Sequence, residues 1–169
     1  MTDAPAGDAR LLLRVVAEQF RLRLLGEQLP RITKCVELLG DGRVWQRPSP
    51  NTNSAGNLLL HLAGNTTQWI VVPFGNGDDR RDRAAEFAAT GGVPARELIA
   101  HLAGVWTRAC DLVDGVSVAD ALRVRTIQRH EVSGLAAILH VLEHCSGHAG
   151  QIYAWTKQVT GQDLRFYDL

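Results

Sequence analysis

Three histidines of one segment stand four residues apart: His140, His144 and His148, in a run that continues through Gln151 to Trp155. On a helix, residues at this spacing share a face that drifts slowly around the axis. Two imidazoles at i and i+4 can offer ring nitrogens to a single divalent ion, the geometry of HExxH helices. Between His144 and His148 stand Cys145, Ser146 and Gly147, so the metalloprotease glutamate is missing and that chemistry is excluded. The pair alone is equally compatible with hydrogen-bonded core histidines, and both readings stay open at this point.

A second segment supplies a complement. Asn57, His61, Gly64, Asn65 and Gln68 fall on one face of a helix whose remaining surface is rich in leucine, at positions 58, 59, 60 and 62. Simple amphipathicity does not explain a polar stripe flanked by leucines on both sides, whereas an inward-facing polar site between helices does. Gly64 and Gly147 leave room beside the imidazoles for a ligand or a close helix. His101 and His130 read as ordinary surface or core residues. Cys145 points about 100° away from His144 around the helix, and reads, like Cys35 and Cys110, as a packed small hydrophobe. Glu143 points elsewhere, so no carboxylate is expected on either histidine face.

Four helical patterns must position these residues. The first runs from about Ala9 to Leu39, with a kink or restarted turn expected at Pro30, and ends at Gly40-Asp41-Gly42. The second starts at Ser54 as N-cap and ends near Val72, before Pro73. The third has Pro94 at its first position and reaches Asp114-Gly115. The fourth runs from near Ser133 to Thr160-Gly161, where glycine supplies the cap. Leu122–Glu131 suits a short extended piece. Residues 1–8 read as a disordered end and 9–169 as one domain.

The fold class is therefore all-α, a four-helix bundle. The connection from Phe74 to Val93 is about 20 residues, against about 2–8 between adjacent antiparallel helices. It can span the ~30 Å length of a 20-residue helix, which permits an up-down-down-up order, and it suits a lid or an insert equally well.

Bulk properties set limits on partners. Eighteen Lys and Arg balance eighteen Asp and Glu over 169 residues, so no net field favours nucleic acid or an acidic membrane surface. No stretch reaches the ~20 apolar residues of a membrane span. Three scattered cysteines form no CxxC pair, which makes a reducing cytoplasm the expected compartment.

Trp45-Gln-Arg-Pro48, the run Asn53-Ser-Ala-Gly-Asn57-Leu-Leu-Leu-His61-Leu-Ala-Gly64-Asn65, and His140-Val-Leu-Glu-His144-Cys-Ser-Gly-His148-Ala-Gly-Gln151-Ile152 together resemble the DinB/YfiT-like superfamily of metal-dependent proteins. The resemblance covers the chain from about Ala9 onward. It implies an up-down-down-up bundle, often a homodimer, and a divalent metal, zinc or nickel, held by His61, His144 and His148. Some relatives are transferases or isomerases that use low-molecular-weight thiols. His140 lies one turn too far for a metal between His144 and His148, and is expected, with Asn57, Asn65, Gln68 and Gln151, to support the imidazoles or contact substrate. Three neutral histidines leave an open coordination position, typical of catalytic rather than structural zinc. The expected function is a metal-dependent enzyme activating a small thiol or water against a small-molecule substrate. The alternative is a non-catalytic metal-binding or stress-response bundle with a structural metal.

Overall fold

The computed structural model describes residues 4–167. The first bundle helix is built from α1 (Ala4–Arg21), a π-helical segment (Leu22–Gln28) and α2 (Leu29–Val44). The expected disordered end at 1–8 overlaps α1 from Ala4 onward, and Met1–Asp3 lie outside the described residues. Pro30 sits in the first turn of α2. Its ring has no N–H to donate and would crowd the carbonyl of the preceding turn, and the widened π turns before it absorb both defects. The same device recurs in the second helix, where α3 (Ala55–Thr66) and a π segment (Thr67–Val71) precede Pro73 in α4 (Val72–Gly75). That helix therefore runs a turn beyond the expected stop at Val72, and ends on Asn76 in the left-handed region at φ 54°. Gly40, at φ 62° and ψ 180°, breaks the helical path of α2 where the sequence placed its end.

Ser54 caps α3 through a reciprocal box: its hydroxyl accepts from the Asn57 N–H at 3.1 Å, and its own N–H donates to Asn57 Oδ1 at 3.1 Å. The long connection carries a short helix, α5 (Arg83–Ala88). Then come α6 (Ala95–Asp114), for which Pro94 is the N-cap, α7 (Val118–Leu122), a hairpin of β1 (Val124–Ile127) and β2 (His130–Ser133), and α8 (Gly134–Thr160). The hairpin realises the extended piece expected near 122–131. Its strands pair antiparallel from Val124↔Ser133 to Ile127↔His130 around a Gln128-Arg129 turn. Ser133 caps α8, accepting from the Ala136 N–H at 3.2 Å, and Gly161 ends it at φ 66°.

Contacts between helix ends fix the topology. The N–H of Ala95, opening α6, donates to Asp41 at the end of the first helix, while Arg21 reaches Asp111 and Asp114 near the end of α6. Those two helices are antiparallel. Gly75, closing the second helix, lies against Leu112 near the end of α6, so the second and third are parallel. Gly134, opening α8, meets Phe74, while Ile152 and Trp155 face Ala55 and Leu58, so α8 runs against the second. The order is up-down-down-up, and the long connection makes the crossing that parallel neighbours require.

Phe20, Leu24, Leu59, Leu102, Trp106 and Ile138 are among the fully buried side chains of a single core. Cys35, Cys110 and Cys145 are free and buried. Burial pushes the Cys110 and Cys145 thiols up to about 12, so they act as packing groups and not as nucleophiles. Among the described residues no helix is long and apolar enough to cross a membrane.

Candidate metal centre

The polar stripe of α3 and the histidine face of α8 meet inside the bundle. His61, only 4% exposed, brings its Nε2 to 3.0 Å from Nε2 of His144. His148 closes the group, its ring set edge-on to both others at centroid distances of 5.0 and 4.5 Å. One ring nitrogen from each of the three lies within 4.8 Å of the others.

The connection supplies what neither helix carries. Glu86 of α5 places Oε2 3.0 Å from Nδ1 of His61. Arg81 grips the same carboxylate at both oxygens, Nε to Oε1 at 2.7 Å and Nη2 to Oε2 at 2.8 Å. Burial alone would raise the Glu86 carboxyl, but the hydrogen bonds from Arg81 and His61 outweigh it and hold the group below its ordinary range. An ionised carboxylate only accepts, so Nδ1 of His61 carries the proton and its Nε2 keeps a lone pair directed at the other rings. Arg81 Nη2, also 3.0 Å from Nδ1, gives its hydrogens to Glu86 and to the His61 carbonyl oxygen.

Gly64 makes this approach possible. A Cβ at that position would stand 2.0 Å from Glu86 Oε1 and 2.9 Å from Arg81 Nε. The room expected beside the imidazoles is thus filled by the Arg81–Glu86 pair, whereas a Cβ on Gly147 would meet nothing within 4 Å. The backbone of α5 is clamped as well. Asn57 Nδ2 donates to the carbonyls of Glu86 and Ala89 at 2.9 and 2.7 Å, and Arg47 Nη2 to that of Phe87 at 2.5 Å. Trp45 lays its ring on Gly56 and donates from Nε1 to the Val93 carbonyl at 2.9 Å. The Trp45–Pro48 run therefore anchors the connection that carries Glu86.

Burial, and then the charges the neighbouring imidazoles would carry, push His144 down to about 3. Burial lowers His148 too, against the opposing hydrogen bond to Gln151. Both rings are thus held in the neutral form that metal ligation requires. Gln151 Oε1 lies 3.3 Å from Nδ1 of His148 and can accept its proton, which leaves Nε2 free. With His61 Nε2 unprotonated and facing these rings, the donor set suits a divalent ion with imidazole affinity.

A model of the family described as Mycothiol-S-transferase matches residues 22–161, most of the chain. The chain belongs to this family. Two DinB-like proteins of known structure share the fold of this mycothiol-S-transferase family member. One, from Bacillus cereus, has 14% identity and a TM-score of 0.65 over 87% of this chain and 94% of its own. The other, from Bacillus subtilis, has 15% identity and a TM-score of 0.64 over 86% and 93%. No curated protein matches the chain. The DinB-like resemblance and the bundle it implied both hold.

In this member of the mycothiol-S-transferase family, the supporting residues divide. His140 stands outside the three-histidine group, stacked on Trp69 at 3.8 Å and 3.4 Å from Asn65 Nδ2. Gln151 contacts His148. Asn57 touches no imidazole and holds the connection instead. Gln68 accepts from Arg81 Nη1 at 2.9 Å and from Gln128 Nε2 at 2.6 Å, one residue removed from the rings. Neither histidine face carries a carboxylate; Glu86 reaches His61 from α5 in the connection instead. Both of its oxygens are committed to Arg81 and His61, so it orients His61 and is not a free base. Glu86 and Arg81 belong to no helical pattern shared with the histidines, and the length of the connection is the one signal the sequence gives of them.

His61 and His144 open onto a cleft of about 800 Å³. Asn65, Trp69 and His140 line its inner part, and Arg81, Arg83 and residues 128–132 of the hairpin complete it.

A pH dependence follows for the metal-free protein. The folded state lowers His144, His148 and His140, in each case chiefly through burial. Below the ordinary imidazole pKa of about 6.5 the unfolded chain binds protons that the folded chain refuses. Stability is full above that pH and falls as pH drops toward the folded values. The Glu86 contribution has the same sign and is lost at still lower pH. Denaturant midpoints of metal-stripped protein should therefore fall between pH 7 and pH 5, and His144→Ala should flatten that slope.

Proposed function

We propose that this chain is a divalent-metal-dependent transferase that joins a small thiol, mycothiol by its family, to an electrophilic small molecule. His61, His144 and His148 hold the metal, with zinc or nickel suiting the imidazole donors. The observation that carries this reading is the convergence of three imidazoles, one fixed by an ionised Glu86, two of which line an open cleft. A divalent ion bound there supplies Lewis acidity that deprotonates a thiol at neutral pH.

The chain's own residues do the rest. Glu86 and Arg81 fix the tautomer and aim of His61, and Gln151 does so for His148. Asn65, Trp69 and His140 shape the wall against which reactants lie. In the reaction the thiol sulfur forms a bond to carbon, the leaving group departs with the bonding pair, and the thiol proton passes to solvent. A purely structural metal would call for a closed set of four protein ligands, and among the described residues the group has three. The buried free cysteines support a cytoplasmic setting, and exposed Leu11, Leu12, Val15 and Leu22 on the first helix support a homodimer.

Metal-loaded protein should conjugate mycothiol to a chromogenic aryl halide at least about a hundredfold faster than metal-stripped protein, the several kcal/mol expected of metal activation. Equal rates with and without metal would refute the reading.

A further inference from the structure

The mouth of the cleft carries cationic charge that the three-histidine group does not use. Three arginines line the cleft, and Arg81, buried, is spent on Glu86. Arg83, at the start of α5, rests its guanidinium over the Phe87 ring at 4.9 Å. Arg129 stands at the tip of the hairpin, in the turn between β1 and β2. Both are exposed, and among the described residues neither forms an ion pair, although the chain contains as many acidic as basic residues. Glu131 is the one acidic residue of the lining, also without an ion pair among the described residues. One carboxylate against two uncommitted guanidiniums leaves a net positive mouth on a chain of zero net charge.

We infer that Arg83 and Arg129 form a subsite for an anionic group, a carboxylate in the simplest case, on the electrophile that accepts the thiol. The inference rests on reading the cleft as the place of thiol transfer. A guanidinium offers paired N–H donors that match a carboxylate, and it keeps its charge at any working pH. The two arginines come from separate elements, the connection and the hairpin, so they reach the cleft independently. Their exposure sets the size of the effect: attraction is screened by salt and contributes to capture as much as to affinity.

The test uses a matched pair, a chlorodinitrobenzoate and its methyl ester, with mycothiol as the thiol throughout. The ratio of kcat/KM for acid over ester should fall by about tenfold in the Arg83→Gln/Arg129→Gln protein, the loss of a charge-assisted contact. Arg129→Lys should retain more of the ratio than Arg129→Gln. In parallel, calorimetry on the metal-stripped protein follows binding of dinitrobenzoate, which has no leaving group and cannot reach a metal there. Its affinity should weaken with added salt and in the double variant.

Binding and ratio both indifferent to the arginines would overturn the subsite. Arginine-dependent binding with an unchanged ratio would overturn its assignment to the acceptor. If no protein transfers mycothiol yet dinitrobenzoate binding still depends on the arginines, the anion subsite stands and the transferase reading falls.

Discussion

Gly64→Ala is expected to lower metal affinity by about 10- to 100-fold, the range for losing the partner that orients a ligating histidine, while α3 stays folded. Glycine inside a helix ordinarily costs stability, and replacing it with alanine gains about 0.5–1 kcal/mol when the space is free. Here the space is occupied. The added methyl would stand 2.0 Å from Glu86 Oε1, and the yielding partner is the tip of a side chain, so the helix need not move. Glu86 does move, and it takes Arg81 with it through their paired contacts. His61 then loses the acceptor that keeps its proton on Nδ1. Metal titration together with thermal unfolding of the metal-free variant separates the outcomes. Weakened binding on an intact fold supports the account. Unchanged affinity would show that the Arg81–Glu86 pair does not orient His61.

The second large effect distinguishes two histidines one turn apart. His144→Ala should abolish metal binding, because it removes one of three nitrogens that lie within 4.8 Å of one another. His140→Ala should only weaken it, because that ring stacks on Trp69 and lies 5.5 Å from the His144 ring, centre to centre. Equal and total loss in both proteins would place His140 among the ligands. His144→Ala has a further consequence in the metal-free protein: it removes a ring that burial holds neutral far below its ordinary pKa, so the variant should resist mild acid better than the parent.

Much of this arrangement was legible in the sequence because helices write their faces in it. Ser54, Ser133 and Gly161 mark helix ends, and each does so in the structure. The stripe from Asn57 to Gln68 and the spacing of His144 and His148 each define a face. The long connection from Phe74 to Val93 permits the up-down-down-up order, which the family resemblance implies. Two features escaped. The π segments before Pro30 and Pro73 are wider turns of the same rod, and apolar periodicity scarcely distinguishes them from α-helix, so the second helix was expected to stop too early. The other is the role of the connection. Glu86 lies 25 residues from His61, and its place is set by backbone clamps from Arg47 and Asn57 together with the gap at Gly64. No local pattern encodes contacts of that kind. Asn57 shows the same limit from the other side, since its position on the polar stripe suggested an imidazole partner and its amide instead holds a loop.

His61, His144 and His148 are proposed to bind one divalent metal as a group. Protein purified without immobilised nickel, stripped with chelator and titrated with zinc tests this most directly when X-ray absorption of the loaded form reports the ligands. The expected result is about one ion per chain, bound through three imidazole nitrogens with a lighter, exchangeable ligand beside them. A protein that stays metal-free on titration, or a loaded shell without the three imidazoles, would contradict it.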